Sequence, residues 1–154
     1  MCGQAFQVSP LDNSAVAGQI YQLFQRSYAI EAALLGATNF PPLTRTIADI
    51  ETSDSDFLGV YVEDSLVGAV ELESDSGRVL IASLVVDPDH FRQGIARLLL
   101  RYVISAASDK VLQVETATAN QPALRLYLGA GFVEASRYVT EDGVHKTCLR
   151  YARA

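Results

Sequence analysis

A chain of 154 residues, 49% hydrophobic and 19% charged, has the size of one domain, expected over 1–154, and a globular rather than disordered composition. A net charge of −6 argues against nucleic-acid binding as the main role and suits a cationic or amine partner. Two cysteines, Cys2 and Cys148, show neither metal spacing nor a disulfide framework; with no basic-then-apolar leader and no run of about 20 apolar residues to span a membrane, they predict a cytoplasmic chain with no membrane contact.

In chain order, a first strand is expected over 5–8. A helix follows over 13–35, with Asn13 or Ser14 as N-cap and a break allowed within it. The stretch GATNFPPL cannot continue that helix, because Pro41 and Pro42 remove amide donors and clash with the preceding turn. A short helix is expected over 44–52. Two strands, 57–63 and 66–73, join through a tight turn at Asp64 and Ser65. Residues 79–86 are apolar on both alternating faces, the pattern of a central strand covered on both sides.

The segment VLIASLVVDPDHFRQGIARLLL then runs from this strand through a proline stop and a basic glycine loop into a helix. Such a junction binds phosphate. The first helical N–H groups lack intrahelical partners, the helix dipole is positive there, and glycine lets a ligand approach the backbone. Arg92, Gln93, Gly94, Ile95 and Ala96 are the candidate phosphate residues. Arg97 and Arg101 lie one turn apart on the helix's polar face, where solvation explains them equally well. Ile95, Leu98, Leu99, Tyr102, Val103 and Ala106 form an apolar stripe. A strand over 111–116, a helix over 122–128 ended by Gly129 and Gly131, and a closing hairpin of 132–140 and 147–151 complete an α/β fold around a mixed sheet.

NQPALRLYLGAGF, from Asn120 to Phe132, taken with HFRQGIA, from His90 to Ala96, resembles the GCN5-related N-acetyltransferase (GNAT) family. That family's phosphate loop reads Gln or Arg, two free positions, Gly, one free position, then Gly or Ala. Gly94, Ile95 and Ala96 fit its second half, while Phe91 departs from its first position. The resemblance implies a mixed, mostly antiparallel central sheet flanked by helices, with acetyl-coenzyme A as co-substrate. It implies transfer of acetyl to a primary amine of a small molecule or peptide N-terminus by direct attack. Pantetheine would pair with the backbone amides of Leu84, Val85 and Val86, and Asn120, a helix cap by its chemistry, would also touch the cofactor arm.

Acetyl transfer to an amine needs a base for the amine proton, an acid for the leaving thiolate, and donors for the oxyanion that forms. By resemblance Tyr127 is the acid; by composition alone it is a core tyrosine. The Glu that many members carry in the central strand is replaced by Leu80. Glu115, twelve residues before Tyr127, resembles the base of the branch that acetylates protein N-termini, and a place near the sheet centre would raise its pKa. Glu71 and Glu73 are the runners-up, with ordered water as a further route. His90 and His145 read as loop residues, and nothing resembles a metal site. Acceptor contacts would come from Tyr28, Glu31, the loop 39–42 and the hairpin around 138–145. Loss of the usual Glu leaves a non-catalytic acyl-CoA-binding module as the alternative. The closing strands are also available to pair with a second copy.

Overall fold

The computed structural model describes residues 5–37 and 40–153. Cys2 and Asn39 lie outside the described residues. Seven strands form one sheet: β1 (Val8–Leu11), β2 (Asp56–Val62), β3 (Ser65–Ser74), β4 (Arg78–Val86), β5 (Val111–Ala117), β6 (Phe132–Val139) and β7 (His145–Tyr151). Their spatial order is β1-β2-β3-β4-β5-β7-β6. Every neighbouring pair is antiparallel except β4 and β5, which run parallel. The helices are α1 (Asn13–Leu35), α2 (Ile47–Glu51), α3 (Ile95–Ala106) and α4 (Gln121–Ala130). The expected fold class and order of elements are therefore the observed ones. Among the described residues, no helix is long and apolar enough to cross a membrane.

Several local expectations are corrected. The first strand begins at Val8, because its pairing with β2 runs from Val8 to Leu11. The N-cap of α1 is Asp12, whose side chain accepts from the Ser14 amide at 3.1 Å. Asn13 instead donates to the carbonyls of Ile50 at 2.7 Å and Ser53 at 3.1 Å, tying α1 to α2. The break allowed in α1 is a single non-helical residue, Val16. The helix expected over 44–52 divides. Pro41–Thr44 forms a 3-10 turn, Arg45 is extended, and Thr46 starts α2 through a reciprocal capping box with Asp49.

Two cores lie on opposite faces of the sheet. One gathers Leu99, Leu100 and Val103 of α3 with Val67, Val70, Leu112 and Phe132. The other packs Ile20, Leu23 and Phe24 of α1 against Ile50, Phe57 and Val85. On α3, Tyr102 is 43% exposed while Leu100 is fully buried, so the buried stripe is centred further round the helix than its apolar pattern suggests. Ala106, in the last turn, is exposed as well. Gly68 of β3 fixes the start of α3: a Cβ there would stand 2.5 Å from Ile95 Cγ2. The absent side chain lets the first turn of α3 settle onto the sheet.

The apolar character of both faces of β4 has a cause other than uniform cover. Glu71 pairs with Ser83 and Leu72 with Ile81, which leaves Ala82 as an extra, bulged residue. The bulge shifts the alternation by one. Val79, Ile81 and Val86 belong to the α3-side core, but Val85 packs into the α1 side. Ala82 itself is exposed.

Candidate active site

The same bulge opens the site. Parallel pairing of β4 with β5 runs from Arg78 and Val111 to Ile81 and Val114 and then stops. Beyond it the strands part, and a cavity of about 670 Å³ fills the gap, reached by Tyr28 and Glu31 from α1 and by Tyr127 from α4. Strand backbone directs successive amides to opposite sides. The Asp87 amide donates to Val67 O of β3 at 2.8 Å. By alternation, the Val85 amide also faces β3, where Val85 pairs with Ala69. Of the three amides expected to meet pantetheine, those of Leu84 and Val86 thus face the opening and that of Val85 faces the sheet.

After Asp87 the chain makes a 3-10 turn, Pro88–His90, and then a loop with Arg92 at φ 64° and Gly94 at φ 83°. Both lie in the left-handed region, which is costly for Arg92 and natural for Gly94. The first intrahelical acceptor of α3 is Gly94 O, bonded by Leu98 N at 2.9 Å. The amides of Ile95, Ala96 and Arg97 are therefore left for a ligand. A Cβ built on Gly94 meets nothing within 4 Å, so the loop is open where a phosphate would approach. Arg92 and Gln93 are exposed beside it, whereas the Ile95 side chain is buried core. These residues fit a phosphorylated cofactor. Arg97 and Arg101 are exposed on the outer face of α3. Phe91, where the family pattern has Gln or Arg, is 44% exposed. Arg26 of α1 bridges Asp87 at 2.8 Å and Asp89 at 3.0 Å, connecting the cavity's first helix to the loop.

Tyr127 is 5% exposed and packs edge-on against Phe132, with ring centroids 5.5 Å apart. Burial pushes its phenol well above the ordinary tyrosine value, and the nearby Tyr28 and Glu31 add to the shift. It therefore holds its proton at neutral pH, as a proton donor must. Asn120 is buried and uses both ends of its side chain. Its Oδ1 accepts from Ala123 N at 3.2 Å, capping α4. Its Nδ2 donates to Glu31 Oε1 at 2.9 Å. Burial raises the carboxyl of Glu31, opposed by the charge of Lys146 and the Asn120 hydrogen bond. Tyr28 is pushed up to about 12, chiefly by burial, against a hydrogen bond with Ser83.

Glu115 reaches the same cavity, but it is exposed, so the desolvation expected at the sheet centre does not occur. Outward residues of β5 alternate with its core residues Val114 and Thr116, and the closing hairpin leaves that face open. One oxygen of Glu115 accepts from the Tyr138 hydroxyl, and the other is 3.6 Å from Cys148 Sγ. That hydrogen bond raises Tyr138 to about 12.

Glu71 is 3% exposed and gripped by Arg45 through two bonds, 2.6 and 2.8 Å, while Ser83 donates to it at 3.1 Å. Burial alone would raise its carboxyl, but the Arg45 hydrogen bonds and charge outweigh it and hold the group below the ordinary carboxylate range. A carboxylate so committed is a poor proton acceptor. Glu73 is exposed near it, beside a second, smaller cleft. His90 belongs to the 3-10 turn. His145 begins β7 rather than lying in a loop, and it lines the main cavity. Phe40, Pro41 and Pro42 line it as well. Sequence reasoning missed Arg45, Ser83 and Lys146. Each lies far along the chain from its partner, and no local spacing marks it.

A sheet parted beyond Ile81 and a buried tyrosine share one cavity, and β4 runs from it into the open glycine loop, an arrangement that fits a phosphorylated cofactor. The model of the acetyltransferase (GNAT) family matches residues 18–132, and the chain belongs to that family, whose co-substrate is acetyl-coenzyme A. YqkA of Bacillus subtilis is 33% identical over 132 residues, 85% of this chain and 38% of that protein. Streptothricin acetyltransferase of Escherichia coli is 33% identical over 111 residues, 67% of this chain and 64% of that protein. The chain thus spans less than two-thirds of either curated relative. The ribosomal-protein-S18-alanine N-acetyltransferase of Escherichia coli shares the fold, with a TM-score of 0.74 and 21% identity over 96% of this chain and 93% of that one.

Proposed function

We propose that residues 1–154 act as one domain that transfers acetyl from acetyl-coenzyme A to a primary amine, carried by a small molecule or a peptide N-terminus. One observation carries this reading: the parted end of β4 and the buried Tyr127 line a single cavity, and β4 leads from it straight into the open loop at Gly94. Bound there, the co-substrate supplies an activated thioester.

The chain's own groups do the rest. The amides of Leu84 and Val86 hold the pantetheine arm as a further strand would, with Val85 keeping β4 in register. The amides of Ile95 and Ala96, with the backbone of Gln93 and Gly94, cradle the pyrophosphate at the positive end of α3. Arg92 adds a guanidinium beside it. Asn120 sets the start of α4 and with it the place of Tyr127, whose Oη donates a proton to the departing sulfur. The amine's proton needs an acceptor, and the carboxylates of Glu115 and Glu31 both line the cavity. The reading takes support from family membership and from streptothricin acetyltransferase, a relative named for acetyl transfer.

Calorimetry with acetyl-CoA tests it. Saturable binding in the micromolar to low millimolar range is expected. No heat at millimolar ligand would end the proposal.

A further inference from the structure

Resting on the acetyltransferase reading above, we propose that Glu31 seats the acceptor's ammonium group and takes its proton, so that the acceptor is a primary amine that arrives charged. Four observations converge on this residue.

First, of the two carboxylates expected to handle the amine that line the cavity, Glu115 is exposed and already shared between Tyr138 and Cys148, whereas Glu31 is half-buried. Second, Glu31 is fixed. Its Oε1 accepts from Asn120 Nδ2, and Asn120 is itself anchored by its cap to Ala123. The residue that positions α4, and through it Tyr127, therefore also positions Glu31. Proton acceptor and proton donor share one frame. Third, Glu31 stands in the C-terminal part of α1, which has no basic residue in its last turn. The negative end of a helix favours a cation, so an arriving ammonium would add to Lys146, whose charge already acts on Glu31. Fourth, burial raises the Glu31 carboxyl, which brings its proton affinity closer to that of an amine. The titratable groups that face it are Tyr28 of its own helix, Tyr127 of α4, Glu115 of β5, Asp142 of the hairpin turn, and His145 and Lys146 of β7.

The proton accounting closes. An N–H bond of the ammonium breaks, an O–H bond forms on Glu31, and the nitrogen lone pair is freed. Transfer then forms the C–N bond and breaks the C–S bond. Tyr127 Oη gives its proton to sulfur and regains one from the new amide nitrogen. Glu31 returns its proton to solvent, so each turnover of an ammonium releases one proton.

The test uses the full chain carrying ¹³C-labelled glutamate, with n-propylammonium as the probe. The Glu31 carboxyl resonance, assigned by its loss in Glu31→Gln, is expected to titrate above the ordinary glutamate range. Adding the probe should lower its midpoint, because a bound cation favours the ionised form. Asn120→Asp keeps the oxygen that caps α4 but sets a carboxylate against Glu31, and should raise the midpoint; an unchanged midpoint would remove Asn120 as the positioning residue. In thiol-release assays on an amine panel, Glu31→Gln should lower kcat/KM by about 100-fold or more and erase the acidic limb that Glu115→Gln retains. CoA calorimetry on the variant should match the parent. A Glu31 resonance unmoved by the probe while that of Glu115 moves would overturn the assignment, as would an intact acidic limb in Glu31→Gln. The titration is read on the unaltered protein, so it decides even where a variant fails to fold. A parent that binds no CoA would sink the acetyltransferase reading alone.

Discussion

Arg45 clasps Glu71 with both terminal nitrogens, at 2.6 and 2.8 Å, where Glu71 is 3% exposed in the middle of β3. The guanidinium also lies 5.8 Å from the Phe24 ring centroid and 6.0 Å from that of Phe57, joining the α1 core to the sheet. Removing one member of a buried pair strands the other charge, at a cost of about 3–5 kcal/mol. Arg45→Met should therefore lose several kcal/mol in urea unfolding. Arg45→Met with Glu71→Gln should recover part of that loss, and a single variant as stable as the parent would show that the pair contributes nothing.

The pair also predicts a pH dependence. Glu71 has its folded-state value held below its unfolded one. The unfolded chain therefore binds more protons as pH falls, and this contribution is present above the ordinary glutamate range and lost on descent through the lowered folded value. Stability measured from pH 7 downward should fall more steeply in the parent than in Glu71→Gln. Parallel curves would exclude Glu71 as a source of acid sensitivity.

Gly94→Asp should fold and bind CoA at least about tenfold more weakly. A Cβ meets no neighbour there, so the fold has room; the left-handed φ of 83° strains the new residue, and a carboxylate opposes the phosphates at the helix start. Arg92→Ala should raise the cofactor KM more than it lowers kcat, with a loss below about 3 kcal/mol for one charge-assisted contact on an exposed side chain. Calorimetry and initial rates separate the two. Normal CoA affinity in a folded Gly94→Asp protein would remove the phosphate-loop assignment.

Tyr138 offers a spectroscopic check on the Glu115 environment. Its phenol stands at about 12 because Glu115 accepts its hydrogen bond. Glu115→Gln removes the negative acceptor, so one tyrosine should ionise at lower pH in an ultraviolet titration. An unchanged titration would mean that the two side chains do not meet in solution.

Most of the fold was legible in the sequence. Apolar patterning marked the strands and turn residues marked most of the breaks, because those signals are local; the break at Arg45 carried no such mark. The loop at Gly94 and the helix from Asn120 were legible for the same reason. What escaped depends on pairs distant in the chain. The bulge at Ala82 needs the register with β3. The grip of Arg45 on Glu71 spans 26 residues, and that of Asn120 on Glu31 spans 89. Glu115 was placed correctly on its strand, yet its exposure follows from how little the hairpin covers, which no local spacing encodes. Asp12 displaced Asn13 as the cap because Asn13 found acceptors on α2.

The central claim is that this cavity moves acetyl from a thioester to an amine, with Tyr127 as the proton donor. It is tested most directly by mixing acetyl-CoA with polyamines, amino acids, aminoglycosides and short peptides, and measuring free thiol alongside the mass of each amine. The account predicts thiol release that requires a particular amine, matches that amine's gain of one acetyl group, and falls by about 100-fold in Tyr127→Phe with CoA affinity kept. Saturable CoA binding without amine-dependent thiol release from any of these classes, or a Tyr127→Phe protein as fast as the parent, would contradict it.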